Sequence, residues 1–338
     1  MKVPYTVILV FGLVVVLIFL NNTREVANDD IESSINRALI FLNQSYSKEY
    51  LFDDIYIKCV DQLPGCDTNF RRLDSSIVMV FFMPERLKNN PLMKGIISHA
   101  NTILSNHLKE WENEPLEEKP LDLYSAFPSY YKTLTNMLNE IIKNEDSDGD
   151  WEDYSMYGQG FEFRKITDEA WAIATLARNK VDWKFIKIAL DKKKFEGEMI
   201  MNKIWNWDKT FQYYAMAHIL KSFVETKEQG YDVNEYEDFI ERVKEWMARM
   251  VEDDYLKKWI AIKSEALYWL QRSNYTDKKF LDELAKEILR KQELDGSWRL
   301  LDLGILEKFT NNFYYEDAKT HVTLLTVIAL ENYKEQIK

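Results

Sequence analysis

Several ionisable side chains stand where acid–base chemistry would place them, at the start of long apolar segments. Asp168 and Glu169 open Ala170–Ala177, and Asp317 and His321 open Val322–Leu330. A carboxylate or imidazole at the mouth of an apolar cavity can serve as general acid or base. The same residues also fit structural roles. Asp168 and Glu169 would complement the positive end of a helix, and Asp317 would hydrogen-bond His321 one turn later. Those structural roles are the default reading. Glu265 stands inside the apolar stretch Ile260–Leu270 and invites the same two readings. Trp171, Tyr214, Tyr268 and Trp269, with Trp205, Trp207 and Tyr213, would either line a cavity that stacks on sugars or faces cations, or fill a core.

Metal and cofactor chemistry find little support. The 4 histidines, His99, His107, His218 and His321, form no His-x-x-x-His pair. Asp146, Asp148 and Asp150 match the first half of a calcium loop. Trp151 then replaces the required Gly, and Tyr157 the closing Glu, so a structural turn is the better reading. No phosphate-binding loop, nucleophile elbow or dinucleotide fingerprint occurs, and no cofactor is expected.

These residues must be positioned by helices. Gly and Pro number only 10 and 7 in 338 residues, too few for the turns of a β-sandwich or barrel. Hydrophobic residues reach 46%, enough for a sizeable core, and the formal charge of −12 argues against a nucleic-acid surface. Amphipathic stretches alternate with nearly apolar ones. Ile31–Leu42, Ile96–Trp111, Trp183–Leu190 and Tyr236–Met250 are amphipathic. Ile77–Met83, Ala170–Ala177, Phe211–Val224, Ile260–Leu270 and Val322–Leu330 are apolar almost all round. Short period-2 runs near Asp54–Val60 and Gly160–Arg164 would be hairpin decorations. Eleven or twelve helices in five or six hairpins close naturally into an all-α toroid, with apolar helices inside and amphipathic ones outside. An open solenoid is the competing arrangement.

One repeat is legible by eye. Glu140–Trp151 aligns without gaps on Glu287–Trp298, and both copies end in Asp-Gly-x-Trp: Asp148-Gly149-Asp150-Trp151 and Asp295-Gly296-Ser297-Trp298. Gln292-Glu-Leu-Asp-Gly-Ser-Trp298 resembles the QW motif of squalene and oxidosqualene cyclases, whose α/α-toroid is shared by protein prenyltransferase β-subunits. The resemblance implies that Gln292 and Trp298 tie neighbouring hairpins together, a role in stability. It also implies that Asp317 or His321 points toward a central cavity. The cyclase Asp-x-Asp-Asp acid, the prenyltransferase zinc ligands and the Asp-Asp-x-x-Asp motif are all missing.

Residues 3–20 form an uncharged run long enough to cross a bilayer. It leads into Asn21 without a small-residue cleavage site, so residues 1–27 read as an uncleaved membrane anchor, with a cleaved signal as the other reading, and 28–338 as one toroid domain outside the cytoplasm in either case. There Cys59 and Cys66, flanking a Pro-Gly turn, would form a disulfide; two buried thiols are the other reading. The expected function is a ligand-binding toroid for a lipid-like, glycan or peptide partner. A toroid-class enzyme using Asp, Glu or His and a protein-interaction scaffold are the alternatives.

Overall fold

The computed structural model describes residues 28–46, 55–56, 71–72, 83–110, 166, 169–170, 173–174, 176–203, 208–300 and 319–337. The apolar run 3–20, both cysteines, Asp148, Gly149, Trp151, Asp168, Trp171 and Asp317 lie outside them. The described residues are mostly helical, as the low Gly and Pro content and the 3.6-residue periodicity require. In order, the helices are α1 (Asn28–Tyr46), α2 (Glu85–Lys88), α3 (Pro91–Glu110), α4 (Trp183–Met201), α5 (Lys209–Glu228), α6 (Glu237–Val251), α7 (Ile260–Arg272), α8 (Lys278–Arg290) and α9 (Lys319–Gln336). The described residues between 166 and 178 are also helical. Ile55–Tyr56 pairs antiparallel with Arg71–Arg72. Among the described residues, no helix is long and apolar enough to cross a membrane.

Two kinds of helix follow from two kinds of sequence. In α8, Leu281, Leu284, Ala285 and Ile288 form one buried stripe. In α1 the stripe is Ile31, Ser34, Ile35, Ala38, Leu39 and Leu42. By contrast α7 buries 11 of its 13 residues and α5 buries 13 of 20. The starts of α5, α4 and α8 are set by acidic caps. Asp208 accepts from the Thr210 N–H at 2.9 Å, Asp182 from Lys184 at 2.8 Å, and Asp277 from Phe280 at 2.9 Å.

The buried helices stand side by side: α5 packs on α7, and α7 on α9. Ser264 meets Thr326 at 2.7 Å and Asn332 donates to Gln271 at 2.9 Å, so α7 and α9 run parallel. The amphipathic helices bridge them in turn, α6 touching α5 and α7, and α8 touching α7 and α9. The first described helix then packs on the last, α1 on α9.

The packing reveals a repeat that the letters conceal. The apolar helices before residues 180, 230 and 274 end alike, with a left-handed residue: Lys180 (φ 57°), Gly230 (φ 87°) and Asn274 (φ 58°). The next N–H turns back in each case, Val181 to Leu176, Tyr231 to Thr226 and Tyr275 to Leu270, at 3.2, 3.4 and 2.9 Å. Lys, Gly and Asn have nothing in common as letters, but each occupies the same conformation. Contacts between successive units confirm the step. Tyr231 donates to the Val181 carbonyl 50 residues away, and Arg242 pairs with Glu198 over 44.

One expected boundary moves. The helix expected over Trp183–Leu190 runs on to Met201. In the run Lys192-Lys193-Lys194, Lys193 is buried between two glutamates and continues the inward stripe. Gly197 completes that stripe where α4 crosses α6. A Cβ there would meet the Phe239 ring at 2.6 Å. Gly197→Ala is expected to cost about 1–3 kcal/mol by forcing the helices apart. Urea unfolding followed by circular dichroism measures this, and an unchanged midpoint would contradict the close approach.

Candidate ligand site at the N-terminal ends of the buried helices

The Asp-Gly turn after α8 is a structural joint. Gln292 follows α8 and uses its whole amide. Its Oε1 accepts from Ser34 Oγ at 2.8 Å and from the Arg37 guanidinium, while its Nε2 donates to the Ser34 and Gly296 carbonyls, each at 2.8 Å. Gly296 (φ 91°) passes so close to α1 that a Cβ would lie 2.4 Å from the Arg37 carbonyl oxygen. Asp295 accepts from the Ser297 N–H and hydroxyl at 3.0 and 2.6 Å and pairs with Lys319. Trp298 is fully buried and donates from its indole to the Ile288 carbonyl at 2.8 Å. These residues join α8, α9 and α1 and face no reacting group. The earlier copy, Asp148-Gly149-Asp150-Trp151, lies outside the described residues.

Glu169 is held in a buried charge cluster. Lys192 and Lys193 both pair with it, and Lys193 also pairs with Glu196 at 2.6 Å. Burial opposes the Lys193 charge, but the two carboxylates more than offset this and raise its pKa. Burial also raises Glu196, against the pull of Lys193. Clamped by two ammonium groups of α4, Glu169 ties its own helix to that one.

Glu265 has the opposite environment. It lies in the middle of α7, is 8% exposed, and its Oε2 has no hydrogen-bond partner among the described residues. Burial pushes its carboxyl up to about 8, with the Trp269 indole hydrogen bond pulling it partly back. Glu265 is therefore largely protonated at neutral pH. Two phenols of α5 sense its charge. Burial first, then Glu265, raises both Tyr213 and Tyr214. The Tyr213 hydroxyl and the Thr210 hydroxyl one turn before it are likewise buried without a partner among the described residues. Trp246 stacks on Tyr213, with centroids 6.4 Å apart, and Tyr214 meets it edge-on at the same distance. Tyr213 is thus packed between two aromatic rings, and its hydroxyl, like that of Thr210 and the Glu265 carboxyl, is left unsatisfied among the described residues.

The other expected residues divide between the two ends of the helices. His321 is half-buried in the first turn of α9. The Ser264–Thr326 register places it about six residues, or about 9 Å, from the level of Glu265. Glu169, Glu265 and His321 are not paired with one another. Tyr268 belongs to the C-terminal ends: Arg272 donates to its hydroxyl at 2.8 Å and its guanidinium lies 4.9 Å from the Trp269 ring centre. There Glu225, opposed by burial, is held below its ordinary pKa by Lys221, Arg178 and Arg272. Burial and Lys221 push His218 down to about 3, leaving it neutral. Among the described residues, no three potential ligands are grouped to hold a metal ion.

Sequence reasoning found Glu265 and the tyrosines but had no signal for Thr210, Lys193 or Glu196. Their roles depend on which neighbours the packing supplies. No protein-family model matches the chain, and no curated protein aligns with it.

Proposed function

We propose that the protein is a membrane-anchored, extracytoplasmic ring of helical hairpins, an α/α-toroid, that binds an apolar ligand near the N-terminal ends of its buried helices. One observation carries the ligand reading: helices that are otherwise buried keep a stripe of less completely packed side chains. On α5 it is Phe211, Tyr214 and His218, and on α9 it is His321 and Leu325, each at helical spacing. A helix packed on all sides has no such stripe, whereas one lining an axial space does. The recurring step of 44–50 residues and the packing of α1 on α9 support closure of the ring.

The anchor gives the ring an orientation. Residues 21–27 can span at most about 25 Å between the apolar run and α1. The first turns of α1 lie at the C-terminal end of α9, where Glu32 pairs with Lys334 and with Arg86. The N-terminal ends of the buried helices therefore face away from the bilayer. Acid catalysis is the second reading, favoured by the protonated Glu265, although no second ionised group among the described residues is paired with it.

The full chain, purified from membranes and examined by native mass spectrometry, is expected to carry or take up one apolar molecule from a lipid extract. A chain that stays at its own mass at saturating extract refutes the ligand reading.

A further inference from the structure

The chemistry of the buried oxygens narrows the ligand, on the basis of the ligand-binding reading above. Thr210, Tyr213 and Glu265 are each at least nine-tenths buried, and each keeps an oxygen with no partner among the described residues. Such atoms are costly unless something hydrogen-bonds to them. Thr210 and Tyr213 share one face of α5, three residues apart, and Tyr213 lies within the electrostatic reach of Glu265 on α7. All three groups are hydroxyl-like when Glu265 is protonated. They can donate to a neutral oxygen or accept from a ligand hydroxyl.

Desolvation disfavours the ionic alternatives. Among the described residues no cation pairs with Glu265; burial and one indole hydrogen bond set its environment. Arg272, which lies against the Trp269 ring, is engaged by Glu225 and Glu228. An anionic headgroup at Glu265 would lack a counter-charge, and a cationic one would have to shed its own hydration as well as ionise a buried carboxyl, a double cost that an alcohol avoids. The surrounding rings of Tyr214, Trp246 and Trp269 suit a hydrocarbon body.

We infer that Tyr213 and Glu265 form the polar end of a binding site for a neutral, oxygen-bearing lipid, such as a long-chain alcohol, whose oxygen they hydrogen-bond while its hydrocarbon chain lies among the aromatic rings. Selection is by charge: the alcohol is accepted, and the corresponding carboxylate or amine is rejected.

Three probes of equal chain length test this: 1-decanol, decanoate and decylamine. Each is titrated by calorimetry against the full chain in nanodiscs, with empty nanodiscs subtracted. The expected result is saturable decanol binding, with decanoate and decylamine at least about tenfold weaker. Tyr213→Phe, which keeps the ring, should weaken decanol about two- to tenfold, the effect of one lost hydrogen bond. Glu265→Gln should retain binding, because the amide still donates, and Glu265→Leu should lose it. Equal or tighter binding of either ionic probe overturns the inference, as does failure to bind all three. So does unchanged decanol affinity in Tyr213→Phe, a variant small enough to fold even if Glu265→Leu does not. If native mass spectrometry still finds a bound molecule when these tests fail, the ligand reading survives and only the assigned chemistry falls.

Discussion

Replacing Trp298 with alanine is expected to lower the unfolding free energy by about 3–5 kcal/mol. The indole is fully buried at the junction of three helices. Its N–H donates to the last turn of α8 at 2.8 Å, and its backbone N–H donates to Thr323 Oγ1 at 3.0 Å in the first turns of α9. Thr323 in turn donates to the Lys319 carbonyl at 2.7 Å. Removing the ring opens a cavity and leaves the joint between α8 and α9 without its wedge. Trp298→Phe keeps most of the volume but loses the indole donor. It should cost about 1–2 kcal/mol, because the Ile288 carbonyl retains its bond from the Lys291 N–H. Urea unfolding of the two variants checks the order. A loss below about 1 kcal/mol in Trp298→Ala would mean that the turn is held by its polar contacts, through Gln292 and Asp295, without the ring.

The second large effect is a dependence of stability on pH. Glu265 titrates near 4.5 when unfolded and at about 8 when folded, raised by burial. Below the unfolded value both states are protonated and the group is neutral in its effect. Between about pH 4.5 and 8 the unfolded chain releases the proton while the folded chain keeps it. Stability therefore falls as pH rises, by up to about 1.4 kcal/mol per pH unit. At pH 7 the accumulated penalty is about 3 kcal/mol, and above pH 8 it stops growing. Glu265→Gln removes the titration. The variant should match the parent at pH 4 and exceed it by about 3 kcal/mol at pH 7, read from urea midpoints at the two pH values. An equal difference at both would refute the raised pKa. If the variant also keeps decanol binding, the carboxyl is retained in the natural chain for its neutral hydrogen bond and not for its charge.

Much of the architecture is legible in the letters because helical burial has a period. The stripe in α8 and the nearly apolar α7 announce an outer and an inner helix before any packing is known. Gln292, Gly296 and Trp298 are legible for a different reason. They stand in a repeated Asp-Gly-x-Trp turn whose resemblance to the QW motif implies a joint, and the structure shows them joining α8 to α1 and α9. Glu265 is conspicuous as one charge in an apolar stretch.

Other features have no local signature. Lys193 lies in a run of three lysines, and only Glu169 and Glu196 arriving on both sides make it a buried residue. Glu169 looks like a cap or a catalytic base, but those same lysines give it a tying role. The repeat of helix ends at Lys180, Gly230 and Asn274 is a repeat of backbone angles, which dissimilar residues can share. The sequence by itself determined the helical class, the alternation of two kinds of helix and the place of the joint, because these depend on spacing along one chain. Which oxygens are left unsatisfied, which charges are cancelled and which end of the helices is polar were decided only by the tertiary structure. Desolvation and pairing are properties of neighbours that lie tens or hundreds of residues apart.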